Sequence, residues 1–519
     1  MSTLHYYRPY SGPVDTKVID CDVCVYGGTP AGIAAAMQIA RLGKRVVLLE
    51  FGKRIGGIVT SGLGATDIGN KHVIGGISRQ FFRDVGVKYG VEEKWHFEPH
   101  IALQVYQEWL DSAGIPVYIE HRLSHIEKKH GRIASLQTEN GCQFRASIYI
   151  DAGYEGDLMA RAGVQYRVGR ESDSVYDEHY NGIHYGSPHH NFFRFVDPYR
   201  KPGDPSSGLL PNVSEMNPGR QGEGDDLIQA YNFRLCLTKE PGNRVSFPKP
   251  ANYDPEKYEL LRRYIGAGIF DIFKLAVEIP GKKVDHNNWG GFNTDFIGAN
   301  YGWPDGDYRR RERIYQEHVN YVKGLFWFCA NDPRLPPLVR EIAGSWGFAA
   351  DEFTDSEHFP PQLYIREARR MMSEYVMTEH DALGRFSPDD SVGMASYKMD
   401  SHNCKRIVKG GRALNEGNLE VAPLDPFPIP YRSIRPRRSE CTNLLVTCCP
   451  SASHICFGSI RMEPVFMILG QSAGVAAVLS LDKNGIVQDI SYSTLEQKLR
   501  SEGQILTEPE EEKAKLDVY

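Results

Sequence analysis

Six consecutive residues, Gly27-Gly28-Thr29-Pro30-Ala31-Gly32, have the spacing of a turn that lets backbone approach a pyrophosphate. Gly27 permits the tight turn and Gly32 a close strand–helix contact. A helix opening at Pro30 would aim unpaired N–H groups and the positive end of its dipole at the phosphates. Glu50 follows Gly32 by 18 positions, where a carboxylate accepts hydrogen bonds from an adenosine ribose. An acid there opposes a 2′-phosphate and so argues against NADP. Thr29 departs from the glycine expected at the second position. Its side chain either crowds the pyrophosphate or contacts it through the hydroxyl. The chemistry indicated is dinucleotide binding.

These residues need a strand, a helix and a second strand to hold them, and the flanking sequence supplies all three. Val18 to Tyr26 reads as a strand, Ala31 to Leu42 as an Ala-rich helix stopped at Gly43, and Arg45 to Glu50 as a buried parallel strand. Further on, Ile101 to Ala113 reads as a helix. Pro116 to His121, Ser124 to Lys129, Ile133 to Glu139 and Phe144 to Ile150 read as strands. Gln229 to Thr238 alternates like a strand, and Arg313 to Phe328 and Leu363 to Tyr375 look helical. Asn443 to Thr447 is a late strand and Met462 to Leu481 a long helix. Ser493 to Gly503 is a last helix, with Ser493 and Glu496 spaced as a capping box. The acidic tail from Glu508 reads as solvated.

Composition bounds the class. With 519 residues, 41% hydrophobic and 24% charged, the chain is that of a globular protein of several domains. A formal net charge of −6 disfavours a nucleic-acid partner. The N-terminus lacks a basic-then-apolar leader. The apolar stretch Val465 to Leu481 is shorter than the roughly 20 residues of a bilayer span, which reads as a buried helix and no membrane partner. Ten cysteines without a leader suggest reduced thiols and a cytoplasmic setting. Cys21 and Cys24 have CxxC spacing but lie on a strand, where packed thiols are expected, and no zinc-ligand spacing occurs, so no metal is expected.

The residues after Glu50 distinguish one dinucleotide from another. Arg54, Gly56, Gly57, Ser61 and Gly62 resemble the extended FAD signature of glutathione-reductase-like flavoproteins. Ile148 to Asp157 (IYIDAGYEGD) is similar to the strand and turn that reach the FAD in those proteins, with Gly153 retained and Ala152 replacing Thr. Gly470-Gln471-Ser472-Ala473-Gly474, on a helix after a late strand, matches their closing element. In the middle, Asp285-His286-Asn287-Asn288, Asn293-Thr294-Asp295-Phe296, Tyr364 to Arg370, Ile429 to Ser433 and Gly458 to Pro464 resemble the bacterial FAD-dependent oxidoreductase family. Some of its members are labelled xanthan-lyase-like. The resemblance implies FAD as cofactor. It implies an α/β fold: a doubly wound, Rossmann-like FAD-binding domain with an inserted α+β substrate domain. Residues 18–162 and 438–485 would form the first, 163–437 the insert, and 486–519 a terminal helix and tail. Besides the residues already named, Phe51, Leu123, Asp157, Gly458, Gly470, Gln471, Ala473 and Gly474 would contact the cofactor.

Dehydrogenation by a flavin also needs a proton acceptor and groups that orient the substrate. His454, in an expected loop from Ser451 to Gly458, is the first candidate for the base, with Asp400 and His402 as a second pair, two apart on a strand. Arg461 would clamp a carboxylate or stabilise reduced flavin, and Arg366 and Arg370 would share a helix face. Tyr431 and Arg432 are substrate contacts or flavin neighbours. Asp285 to Asn288 form a polar loop, and Phe292, Tyr301 and Trp303 a stacking platform or domain packing. Arg309-Arg310-Arg311 reads as a solvated face. The expected reaction is hydride transfer to FAD from a small polar substrate: a sugar, polyol or hydroxy acid. A carbohydrate lyase, acting by proton abstraction or transient flavin oxidation, is the alternative. The electron acceptor and self-association are left open.

Overall fold

The structure is a computed structural model and describes residues 4–509. β1 (Val18–Tyr26) ends in the buried run Val23–Tyr26, the pattern of a strand covered on both faces. Thr29 caps α1 (Pro30–Arg41), and Pro30 sits in the first turn, where its missing N–H has no intrahelical partner to lose. Gly43, at φ 74°, turns the chain off the helix into β2 (Val46–Leu49). α2 (Gly76–Lys88) and α3 (Pro99–Ser112) precede β3 (Val117–Tyr118), β4 (Leu123–Lys129), β5 (Arg132–Thr138) and β6 (Gln143–Asp151). The sheet order is β3-β2-β1-β6-β5-β4. β1, β2, β3 and β6 run parallel, and strand Leu444–Val446 adds parallel to the Tyr149–Asp151 end of β6. Tyr26 stands opposite Asp151, so the turns after β1 and β6 open side by side.

Helix Glu463–Leu481 closes this layer. It extends the expected apolar stretch to 19 residues, so length alone does not exclude a membrane span. Within the fold, 83% of its apolar window is buried. A Cβ on Gly470 would meet Ala31 O at 2.1 Å and one on Gly474 would meet Ala35 O at 2.9 Å, so the two glycines let this helix lie directly on α1.

A second core gathers residues of 192–413 around helix Tyr308–Asn331 and a five-stranded antiparallel sheet. Residues 377–434 divide between the two layers. Val392, Phe427, Ile429 and Ile434 belong to the first core, so the expected boundary at 437 falls inside continuous packing. All ten cysteines are buried and unbridged.

Four local expectations change. Residues 363–375 form no helix. Their backbone N–H groups go to tertiary partners instead, Tyr364 N to Asn232 O and Met371 N to Cys449 O, and Arg370–Met371 is a strand. Tertiary pairing overrides a helical pattern of this length. His454 opens a helix, His454–Ile460, rather than lying in a loop. The last helix, Tyr492–Ser501, is preceded by Ser491, not Ser493, and has no side-chain cap. Glu508 is buried with its carboxylate 3.2 Å from His72 Nε2. The rest of the expected acidic tail, residues 510–519, lies outside the described residues.

Candidate active site

The turn after β1 has the geometry its glycines require. Gly27 sits at φ 112°, where a Cβ would meet Ala152 C at 2.5 Å, and a Cβ on Gly32 would meet Gly27 O at 1.9 Å. Thr29 crowds nothing. Its hydroxyl donates to Ala152 O at 2.8 Å and accepts from Gly32 N at 3.3 Å, which ties the turn to the end of β6. The Glu50 carboxylate accepts from Gly28 N at 2.8 Å and Gly52 N at 2.6 Å. Burial pushes its carboxyl up to about 7 against the pull of those amides.

A cleft of about 1530 Å³, open solvent at its mouth included, starts at this turn. At one end Glu50, Phe51 and Arg122 form its wall. The guanidinium of Arg122 lies 5.4 Å from the Phe51 ring, and Tyr6 stacks on that ring at 4.5 Å. At the other end lie Gly57, Ser61, Tyr154, Pro361 and Gln362. Between them Asp157 is gripped by Arg311 at 2.6 Å and Arg369 at 2.8 Å. Burial opposes ionisation of Asp157, but Arg311 and then Arg369 win and hold its carboxyl below the usual range. Glu463 donates nothing to this balance. Its Oε1 accepts from Tyr154 at 2.8 Å while Oε2, also buried, has no partner in the protein.

Beyond Gln362 the chain leads to Tyr364 and a buried polar cluster. Arg461 donates to Tyr364 Oη at 3.4 Å and to Asp400 Oδ2 at 2.6 Å. The Arg366 guanidinium lies 4.9 Å from the Tyr364 ring centroid and 2.9 Å from Asp295 Oδ1. His402 Nδ1 is 2.9 Å from Asp295 Oδ2, and its Nε2 is 3.5 Å from Asp400 Oδ2. Burial would raise the Asp295 carboxyl, but Arg366 and His402 outweigh it and hold it low.

A family model for FAD dependent oxidoreductases matches residues 22–499. The chain belongs to the FAD-dependent oxidoreductase family. No curated protein matches it. Solved flavoproteins share parts of it. L-amino acid deaminase from Proteus vulgaris has 17% identity over 32% of this chain and 55% of its own, with a TM-score of 0.24. L-proline dehydrogenase from P. horikoshii has 14% identity over 30% of this chain and 59% of its own, with a TM-score of 0.25. This chain therefore spans under two thirds of either neighbour.

This family member is an FAD-dependent oxidoreductase, and its residues fit the cofactor. The glycine cradle admits a pyrophosphate, Glu50 faces the place of an adenosine ribose, and the orphaned Glu463 Oε2 suits a ribityl hydroxyl. Of the residues expected to contact FAD, Gly27, Thr29, Glu50, Phe51, Arg54, Gly57, Ser61, Gly153 and Asp157 line the cleft. Gly28, Pro30, Ala31, Gly32, Gly56, Gly62 and Ala152 shape the turns behind it.

The remaining expectations need correction. Gly470, Gln471, Ala473 and Gly474 face α1 and α2, not the cleft: Gln471 Oε1 accepts from Ile77 N, and Ala473 is a core residue. Gly458 allows strand Met399–Ser401 to approach, since a Cβ would meet Asp400 O at 2.5 Å. Leu123 lines a neighbouring pocket, and it is Arg122 that enters the cleft. Arg311 is buried on Asp157 rather than part of a solvated face.

His454 has both ring nitrogens engaged, Nδ1 with Glu367 at 2.8 Å and Nε2 with Ser401 Oγ at 3.1 Å. Its backbone N–H donates to Glu171, which also binds Arg370. It therefore belongs to a closed internal network and has no nitrogen left for a substrate. Arg366 and Arg370 share no helix face: on this irregular segment they diverge to Asp295 and to Glu171. Tyr431 donates to Val487 O, and Arg432 pairs with Asp389 and Asp390 at the surface. Asp285 and His286 lie on a buried strand, with Asp285 held bidentate by Arg234. Phe292 and Trp303 are fully buried core residues. Arg122, Tyr154, Glu463, Arg234 and Tyr364 lacked a cofactor-contact or substrate role in the sequence reading. The signal for Arg122 was its place one residue before Leu123.

Proposed function

We propose that this enzyme dehydrogenates a carbinol carbon of a small polar molecule: a sugar, a polyol or a hydroxy acid. Bound FAD supplies the hydride acceptor. The observation that carries the reading is the Asp295–His402 pair. With Nδ1–H donated to Asp295, His402 presents Nε2 as the basic nitrogen. Asp295 also stabilises the imidazolium formed when the hydroxyl proton arrives. Arg461 pairs with Asp400 at 2.6 Å, and that carboxylate lies 3.5 Å from Nε2. His190, whose ring centroid is 6.1 Å from that of His402, is held neutral. Burial and then His402 push it down to about 4. The hydroxyl proton thus goes to His402 Nε2 as the carbon loses its hydride.

The test is the visible spectrum of the purified holoenzyme without oxygen, before and after sugars, polyols and hydroxy acids are added. Bleaching by one of them is expected. His402→Asn is expected to keep FAD and to slow that bleaching by about 10²–10⁴-fold. Bleaching at the wild-type rate in this variant removes His402 from the reaction.

A further inference from the structure

Arg366 is 1% exposed. Its Nη1 donates to Ala230 O and lies 2.9 Å from Asp295 Oδ1. Its other edge, formed by Nε and Nη2, has no partner in the protein. A buried donor pair left unmade is costly, and a guanidinium stays charged. The same edge grips a carboxylate at several other arginines of this chain, while Arg406 and Arg437 set it on carbonyl oxygens. Arg234 sets Nε and Nη2 on the two oxygens of Asp285 at 2.9 and 2.8 Å. Arg334 does so on Asp332 at 2.9 and 2.7 Å, and Arg432 on Asp390 at 3.0 and 2.8 Å. The fork geometry matches a planar carboxylate.

The neighbours extend the pattern. Arg461 Nε and Arg234 Nη1 are also buried without partners. Arg461 reaches the Tyr364 hydroxyl, and Arg366 lies over the same ring. Arg461 and Arg366 thus keep spare donors beside one tyrosine, two residues along the chain from the cleft-lining Gln362.

We propose that the open Nε/Nη2 edge of Arg366 is the carboxylate site of the substrate, so that the enzyme acts on a hydroxy acid or sugar acid rather than on a neutral sugar or polyol. This rests on the dehydrogenase reading above and narrows it. Asp295 binds both Arg366 and His402. A molecule anchored by its carboxylate in the fork would lie across one guanidinium from the Asp295–His402 pair.

The experiment compares acids with their neutral counterparts on the holoenzyme: lactate with propanediol, glycerate with glycerol, gluconate with sorbitol. Binding is read from flavin-spectrum perturbation or bleaching without oxygen, and from the thermal midpoint. At least one acid is expected to bind about tenfold or more tighter than its counterpart. Arg366→Lys keeps a cation for Asp295 but has no fork. It is expected to retain FAD and lose about tenfold or more of that acid's affinity. A neutral compound that binds as well as its acid in the wild type overturns the proposal, whatever the variant does. So does undiminished acid binding in Arg366→Lys. Loss of FAD from that variant, or a changed spectrum of its ligand-free flavin with acid preference intact, assigns the fork to the flavin ring and also overturns it. The two readings fail separately. An acid that binds and is never oxidised removes the dehydrogenase reading and keeps the fork. A neutral alcohol that bleaches the flavin while no acid binds does the reverse.

Discussion

Asp295 Oδ2 lies 2.9 Å from His402 Nδ1. Its Oδ1 lies 2.9 Å from Arg366 Nη1, so one carboxylate faces both the imidazole and the guanidinium. Asp295→Asn keeps the shape and removes the charge. An amide NH₂ turned to Nδ1 would force the opposite tautomer and leave Nε2 protonated. Flavin reduction by the substrate is expected to fall by about 10²–10⁴-fold, with FAD content unchanged. Anaerobic stopped-flow bleaching measures this, and a rate near wild type would show that Asp295 does not orient the base.

His454 predicts the opposite pattern. His454→Ala leaves the buried Glu367 carboxylate one hydrogen bond short, with Arg370 and Gln229 still on it, at a cost of about 1–3 kcal/mol. The rate of reduction per bound flavin should stay near wild type. Urea unfolding and single-turnover bleaching together decide it. Unchanged stability with lost reduction would return His454 to the chemistry.

Thr29 tests the cradle. Thr29→Gly restores the glycine of the common spacing but removes the hydroxyl that bridges Ala152 O and Gly32 N. A lower stability, by about 1 kcal/mol, is expected for the lost bond. FAD affinity should change little, because the side chain points at protein and not at phosphate. Flavin dissociation followed by fluorescence measures the second part. A large gain in affinity would mean that the threonine does crowd the pyrophosphate.

Glu463 gives a pH signature. Burial raises its carboxyl to about 8, with the Tyr154 hydroxyl pulling the other way. Between about pH 4.5 and 8 the folded protein holds a proton that the unfolded chain has released. This contribution to stability is complete below the lower value and is lost as pH rises through the upper one, by at most about 1.4 kcal/mol per pH unit. Glu463→Gln has no such proton. Its stability relative to wild type should climb from about pH 5 to 8. Parallel pH profiles of the two proteins would refute the shift.

The cradle was legible because its signal is local. Gly27, Gly32 and Glu50 are fixed by one strand, one turn and one helix, and β1, α1, β2 and β4–β6 follow from short-range apolar patterns. The polar cluster was legible only in its residue types. Arg366, His402 and Arg461 could be named, but Asp295, the partner of the first two, arrives from a segment about 70 to 110 positions away. His454 was misassigned because no local pattern shows that Glu367 and Ser401 occupy both its nitrogens. Gly470 and Gly474 carried a true signal with the wrong meaning: small residues at that spacing let two backbones meet.

That meeting has a cost in time. The face of α1 that accepts Gly470 and Gly474 is made of Ala31 and Ala35, and its cover is made about 440 residues later. At about 5–20 residues per second, the nascent chain waits on the order of a minute between the two. Through that interval the alanine-rich face of α1 and the edge of β6 that receives Leu444–Val446 are bare. Both stay uncovered until residues 444–481 have been made.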